Sequence, residues 1–77
     1  MDPLLEKITK TIFDHFSGRF EVTPDTYWQD ILEDSLDTLE LCLELNIATD
    51  LEVDDEDIEN ATTVHDLFLT LKEKVPA

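Results

Sequence analysis

The sequence is poor in positive charge, in glycine and in cysteine. Five Lys and Arg face 20 Asp and Glu, which gives a formal net charge of −15. Such a chain repels phosphate backbones and anionic lipid head groups, so nucleic acids and membrane surfaces are disfavoured as partners. A protein surface rich in Lys and Arg would instead be drawn towards it.

Cys42 is the single cysteine, so no internal disulfide can form. No apolar run approaches the length of a membrane span, and no signal-peptide pattern opens the chain. These features predict a cytoplasmic protein. With 77 residues, of which 42% are apolar, the chain has enough apolar side chains for one small folded domain spanning residues 1–77.

The first segment has the pattern of an amphipathic helix. Asp2 and Pro3 suit the cap and the first position of a helix, and Gly18 suits a left-handed helix end. A long connection over residues 19–34 follows. Thr23 and Pro24 predict a helical turn over about 24–31, which Tyr27, Trp28 and Ile31 would pin to the core. The predicted buried face of the first helix comprises Leu4, Leu5, Ile8, Ile12, Phe13 and Phe16.

The second main helix is predicted to begin at Asp34-Ser35, with Asp37 placed as in a capping box. Asp37, Glu40 and Glu44 share one of its faces. The apolar residues cover more than half of the circumference, so we expect this helix to pack against several neighbours. They are Leu36, Leu39, Leu41, Cys42, Leu43 and Leu45.

The remaining sequence predicts two more helices and no strands. The acidic stretch 50–57 leads into a short helix around 55–60, and Thr62-Thr63 precedes a helix over about 63–74. Together these segments predict an all-α four-helix bundle with three main helices and one short helix. The predicted buried stripe of the last helix comprises Val64, Leu67, Phe68, Leu71 and Val75.

The segment from Asp34 to Leu41, D-S-L-D-T-L-E-L, resembles the D-S-L-D-[ST]-x-E-[LM] segment of bacterial acyl carrier proteins. The resemblance continues without gaps through Asp55-Glu56-Asp57 to Thr62-Thr63-Val64-His65-Asp66. The helix order, the long first connection and the acidity fit the same family, so the resemblance covers essentially the whole chain.

The resemblance implies a carrier that is not itself an enzyme. A phosphopantetheinyl transferase would attach 4′-phosphopantetheine to Ser35, and the arm's thiol would carry an acyl group as a thioester in fatty acid or related lipid biosynthesis. The carrier would act as a monomer and meet acyl-processing enzymes through their basic patches. The expected partner-binding residues are Asp34, Leu36, Asp37, Glu40, Leu43, Glu44 and Ile47.

Two departures from the family pattern indicate a specialised member. Leu32-Glu33 precede the Asp-Ser pair, where many members have a glycine. Ile47 extends the acidic row, and Thr49 stands where an aromatic residue usually packs. We therefore hypothesise a partner surface that is partly hydrophobic. Within the carrier class, a polyketide, a lipid A acyl chain or an amino acyl group is the alternative cargo.

Simpler interpretations stay open for the same residues. Ser35 could serve as a helix cap alone, and the acidic face could be solvated surface. Cys42 fits a core thiol. His15 and His65 are expected at helix edges, and no metal-ligand spacing links them, so no metal site is predicted. A different class is an acidic bundle that binds a basic partner and is never modified.

Overall fold

The computed structural model describes residues 2–32 and 34–76, and all regular secondary structure in them is helical. Glu33, which with Leu32 departs from the family pattern before Asp34, lies outside these residues. The three main helices and the short one are confirmed, and the predicted turn near residues 24–31 forms one further short helix. The helices are α1 (Pro3–His15), α2 (Trp28–Ile31), α3 (Ser35–Thr49), α4 (Asp55–Glu59) and α5 (Val64–Lys74).

Local signals in the sequence place the ends of α1 and α5. The Asp2 carboxylate accepts a hydrogen bond from the Leu4 N–H at 2.9 Å. Thr63 and Asp66 form a reciprocal capping box at the start of α5. Gly18 has φ +73°, and its N–H donates to the Phe13 carbonyl at 2.9 Å, which closes the end of α1. Each end therefore satisfies backbone groups that a helix leaves unpaired.

The core lies where α1 packs against both α3 and α5, with α4 closing the space between α3 and α5. Its fully buried side chains come from all four of these helices, so no helix contributes a separate cluster. Burial of this apolar surface is the main favourable term for a domain of this size. The largest such side chains are Ile8, Ile12, Leu41, Leu45, Ile58, Val64, Leu67 and Leu71.

The long connection between α1 and α3 is fastened to the start of α5. The Trp28 indole N–H donates to the Thr63 carbonyl at 2.9 Å, and the Trp28 N–H donates to the Thr62 carbonyl at 3.2 Å. In return, the Val64 N–H donates to the Thr26 carbonyl at 3.0 Å. These bonds hold the chain that leads into α3 in a defined path.

Outside α3, three residues predicted to pack in the core are exposed, and Leu4 is partly buried. The Phe13 ring lies over Gly18 at the end of α1, where the missing Cβ leaves room for it. Tyr27 lies outside the core, while its neighbours Trp28 and Ile31 take the buried positions as expected. Val75 follows the end of α5 with extended backbone, so it leaves the helical stripe.

Candidate functional site

Ser35 is the first residue of α3, and its side chain is exposed. The cap of this helix is Asp34, whose Oδ1 accepts a hydrogen bond from the Asp37 N–H at 2.9 Å. Among the described residues, the returning bond from Asp34 N–H to Asp37 that would complete a capping box is not formed. The helix start therefore takes its side-chain cap from Asp34, and the Ser35 hydroxyl is not needed for that role.

α3 contacts both α1 and α4, but the expectation that neighbours would cover its apolar residues around more than half of the helix is wrong. Its buried side chains are Thr38, Leu41, Cys42 and Leu45, which lie on one face towards α1 and α4. A bundle built from 77 residues has too few elements to surround a helix. The other apolar side chains of α3 are consequently left in solvent.

These exposed side chains form a continuous line, here called the apolar stripe. It consists of Leu36, Leu39, Leu43 and Ile47, which are exposed by 62%, 51%, 65% and 85%. Spacings of three and four residues place all four side chains on one face of the helix. Large apolar residues grouped in this way on a water-facing surface are typical of a contact site for another molecule.

An acidic row consisting of Asp37, Glu40 and Glu44 runs beside the apolar stripe. Asp37 is half-buried, and the two glutamates are exposed. No Lys or Arg lies on α3. The helix therefore offers a partner an apolar line bordered by negative charge, with Ser35 at one end.

The end of α1 brings His15 against the acidic row. His15 Nδ1 pairs with Glu44 Oε2, and the His15 side chain is only 9% exposed. A ring nitrogen of His15 and one carboxylate oxygen each of Asp37 and Glu40 all lie within 4.8 Å of one another. His15 is the last residue of α1, at a helix edge as expected, and the packing of α1 on α3 buries its ring.

Cys42 lies in the core, as interpreted from the sequence. Burial, followed by the negative charges of Asp55 and Asp57, raises the pKa of its thiol to about 11. At neutral pH the thiol is therefore protonated and unreactive. It contributes packing to the bundle and no nucleophile.

A shallow groove of about 360 Å³ lies between the long connection and α4. Leu32, three positions before Ser35, lines it together with Trp28 and Ile58. The groove therefore offers apolar surface close in sequence to the start of α3.

No protein-family model matches the chain, and no solved structure matches it. The resemblance to acyl carrier proteins thus rests on the sequence itself, chiefly on the residues from Asp34 to Asp66. Within residues 2–32 and 34–76, no helix combines the length and apolar character needed to cross a membrane.

Proposed function

We propose that the chain is an acyl carrier protein that bears 4′-phosphopantetheine on Ser35. The observation that carries this proposal is the placement of Ser35 at the first position of α3, exposed and relieved of capping by Asp34. In this position a modifying enzyme can reach the hydroxyl without disturbing the helix end.

The modification is a phosphoryl transfer from coenzyme A. The Ser35 oxygen forms a bond to the pantetheine-bearing phosphorus, the P–O bond of the coenzyme A pyrophosphate breaks, and adenosine 3′,5′-bisphosphate leaves. The hydroxyl proton passes to a base of the transferase or to water. The carrier itself supplies the serine and the docking surface, and each later step on the thioester belongs to a partner enzyme.

The start of α3 can tolerate the new phosphodiester. The first N–H groups of a helix lack intrahelical acceptors, and the helix dipole favours an anion there by about 0.3–1 kcal/mol. A like charge such as the Asp34 carboxylate costs about 1 kcal/mol at 4 Å in water. Because this attraction and this repulsion nearly cancel, the phosphodiester gains little from its contact with the helix start. The arm is therefore held by its covalent bond alone and remains free to move.

The acidic row and the apolar stripe would form the docking surface for partner enzymes. Basic patches on the transferase and on acyl-processing enzymes would speed the encounter, while exposed ion pairs add little affinity. This balance suits a monomeric cytoplasmic shuttle in fatty acid or related lipid biosynthesis. The 85% exposure of Ile47 supports a specialised carrier whose partners bury an apolar contact.

The apolar stripe also favours a second candidate, an acidic interaction module that is never modified. Such a module would use the same face of α3 to bind a basic, partly apolar partner, and Ser35 would carry no arm. The two candidates differ in one covalent bond, which makes them separable by mass.

The test is the intact mass of the full chain after incubation with coenzyme A and a promiscuous phosphopantetheinyl transferase. We expect one added phosphopantetheine, which Ser35→Ala abolishes. Ser17→Ala is the matched control, because Ser17 is the other serine of the chain, and it should leave the modification intact. Circular dichroism checks that both variants fold. A wild-type chain that stays unmodified would rule out the carrier function and leave the interaction module.

A further inference from the structure

The His15 side chain is buried and packed, unlike a side chain in an exposed ion pair. Its side chain is 91% buried, and its Nδ1 faces the Glu44 carboxylate across the contact of α1 with α3. The Phe16 ring stands edge-on to the imidazole, with ring centroids 4.8 Å apart. The ring orientation is therefore fixed on two sides.

The surroundings of this ring supply metal ligands of a particular kind. Carboxylate oxygens of Asp37 and Glu40 lie with a His15 ring nitrogen in a group no more than 4.8 Å across. In protein metal sites, a histidine that binds the ion usually gives its other ring N–H to a carboxylate, which fixes the tautomer. Glu44 on Nδ1 meets that description, so the other ring nitrogen, Nε2, would be the one to bind an ion.

We propose that His15, Asp37 and Glu40 bind one divalent transition-metal ion of the Zn²⁺ class, with Glu44 as the positioning residue. Zn²⁺ takes nitrogen and carboxylate ligands at about 2.0–2.2 Å, so tetrahedral ligands lie about 3.3 Å apart. Because the three ligand atoms lie within 4.8 Å of one another, they need to close by at most roughly 1.5 Å. Glu40 is exposed, so its side chain can make most of that movement.

The imidazole distinguishes this site from general counterion binding. A chain with a net charge of −15 collects Mg²⁺ and Ca²⁺ around its carboxylates without any histidine. Those ions prefer oxygen ligands, whereas imidazole favours Zn²⁺, Ni²⁺ or Co²⁺. Loss of the imidazole should therefore affect Zn²⁺ binding and leave Mg²⁺ binding unchanged.

The ion would join α1 to the face of α3 that carries the acidic row. Asp37 and Glu40 would then be occupied, and the row would lose two of its net negative charges. The site does not depend on modification of Ser35, so it can be tested in the unmodified chain.

The experiment is calorimetric titration of the chelator-treated full chain with ZnCl₂ at fixed ionic strength, with Co²⁺ absorption as the report on ligand type. We expect one high-affinity ion per chain. His15→Gln should weaken its binding at least 100-fold, and Glu44→Gln should weaken it by about 10–100-fold, the usual loss for a group that orients a ligand. His65→Gln is the matched control, because His65 is exposed on α5, and it should bind as the wild type does.

If the loss of the buried imidazole in His15→Gln unfolds the chain, Glu40→Gln provides a second test of the site, because Glu40 is exposed. It should weaken Zn²⁺ binding and leave the circular dichroism spectrum unchanged. Equal Zn²⁺ binding by the wild type, His15→Gln and Glu40→Gln would overturn the proposal. So would a wild type that binds several Zn²⁺ ions with the same weak affinity as Mg²⁺.

Discussion

The side chain of Asn46 forms hydrogen bonds with the backbone of Val53, and its removal should lower the free energy of unfolding. Its Oδ1 accepts from the Val53 N–H at 3.0 Å, and its Nδ2 donates to the Val53 carbonyl at 3.0 Å. The same Nδ2 donates to the Cys42 carbonyl at 2.7 Å. This one amide therefore ties α3 to the acidic loop that leads into α4.

Asn46→Ala leaves both backbone groups of Val53 without a protein partner, and Val53 is 3% exposed. An unpaired buried polar group costs about 1–3 kcal/mol. The Cys42 carbonyl keeps its helical hydrogen bond, so the expected loss is that of the two Val53 groups, about 2–6 kcal/mol. A domain of this length has roughly 4–12 kcal/mol of stability, so the loss is a large fraction.

The assay is urea unfolding followed by the fluorescence of Trp28, the single buried tryptophan. Urea leaves the ionic strength constant, which matters for so acidic a chain. Asn60→Ala, at an exposed position after α4, should change the free energy of unfolding by less than about 0.5 kcal/mol. If Asn46→Ala also stays within that range with an unchanged m-value, water replaces the amide and the reasoning is refuted.

Three further predictions concern charge and exposure. Burial alone raises the pKa of Asp57, but hydrogen bonds from Lys74 and a backbone N–H outweigh it and lower the pKa below 3.8. The ionised Asp57 carboxylate therefore stabilises the fold above pH 3.8, and this stabilisation is lost as the pH falls through the folded pKa. Asp57→Asn should lower the free energy of unfolding in urea by about 1 kcal/mol at pH 7 and leave it unchanged in strong acid. Ile47→Glu should slow transfer by the phosphopantetheinyl transferase at every salt concentration, whereas Leu69→Glu on α5 should not; equal rates would contradict a partly apolar docking surface. Cys42, with a pKa near 11 in place of 9.0, should react with iodoacetamide at pH 8 at least about 100-fold more slowly when native than in denaturing urea, and similar rates would show that the core opens readily.

The ends of the helices could be predicted because local residues determine them. Asp2-Pro3 begins α1, and Thr63 with Asp66 begins α5, each through hydrogen bonds to the adjacent backbone. Asp34 acts in the same way at α3, so the position of Ser35 at a helix start followed from the sequence. Such signals, with the Gly18 closure of α1, involve residues no more than five positions apart.

The covered face of α3 could not be predicted, because its apolar residues occur around most of the helix. Leu41 and Leu43 look equivalent in the sequence, yet only contact with α1 and α4 decides that Leu41 is buried and Leu43 is not. His15 and Glu44 are 29 residues apart, so their pairing depends on how two helices dock. Asn46 and Val53 likewise meet only because the loop after α3 turns back.

Like α3, most of the chain contains no Lys or Arg. Every Lys and Arg precedes residue 20 or follows residue 71, while 16 of the 20 acidic residues lie between Glu21 and Asp66. Lys72 and Lys74 are moreover paired with Asp2 and Asp57. The segment from Glu21 to Asp66 thus carries 16 acidic residues and no Lys or Arg, and its field would orient an approaching basic protein before the two surfaces touch. Much of the selection of a docking pose would take place in the diffusive approach.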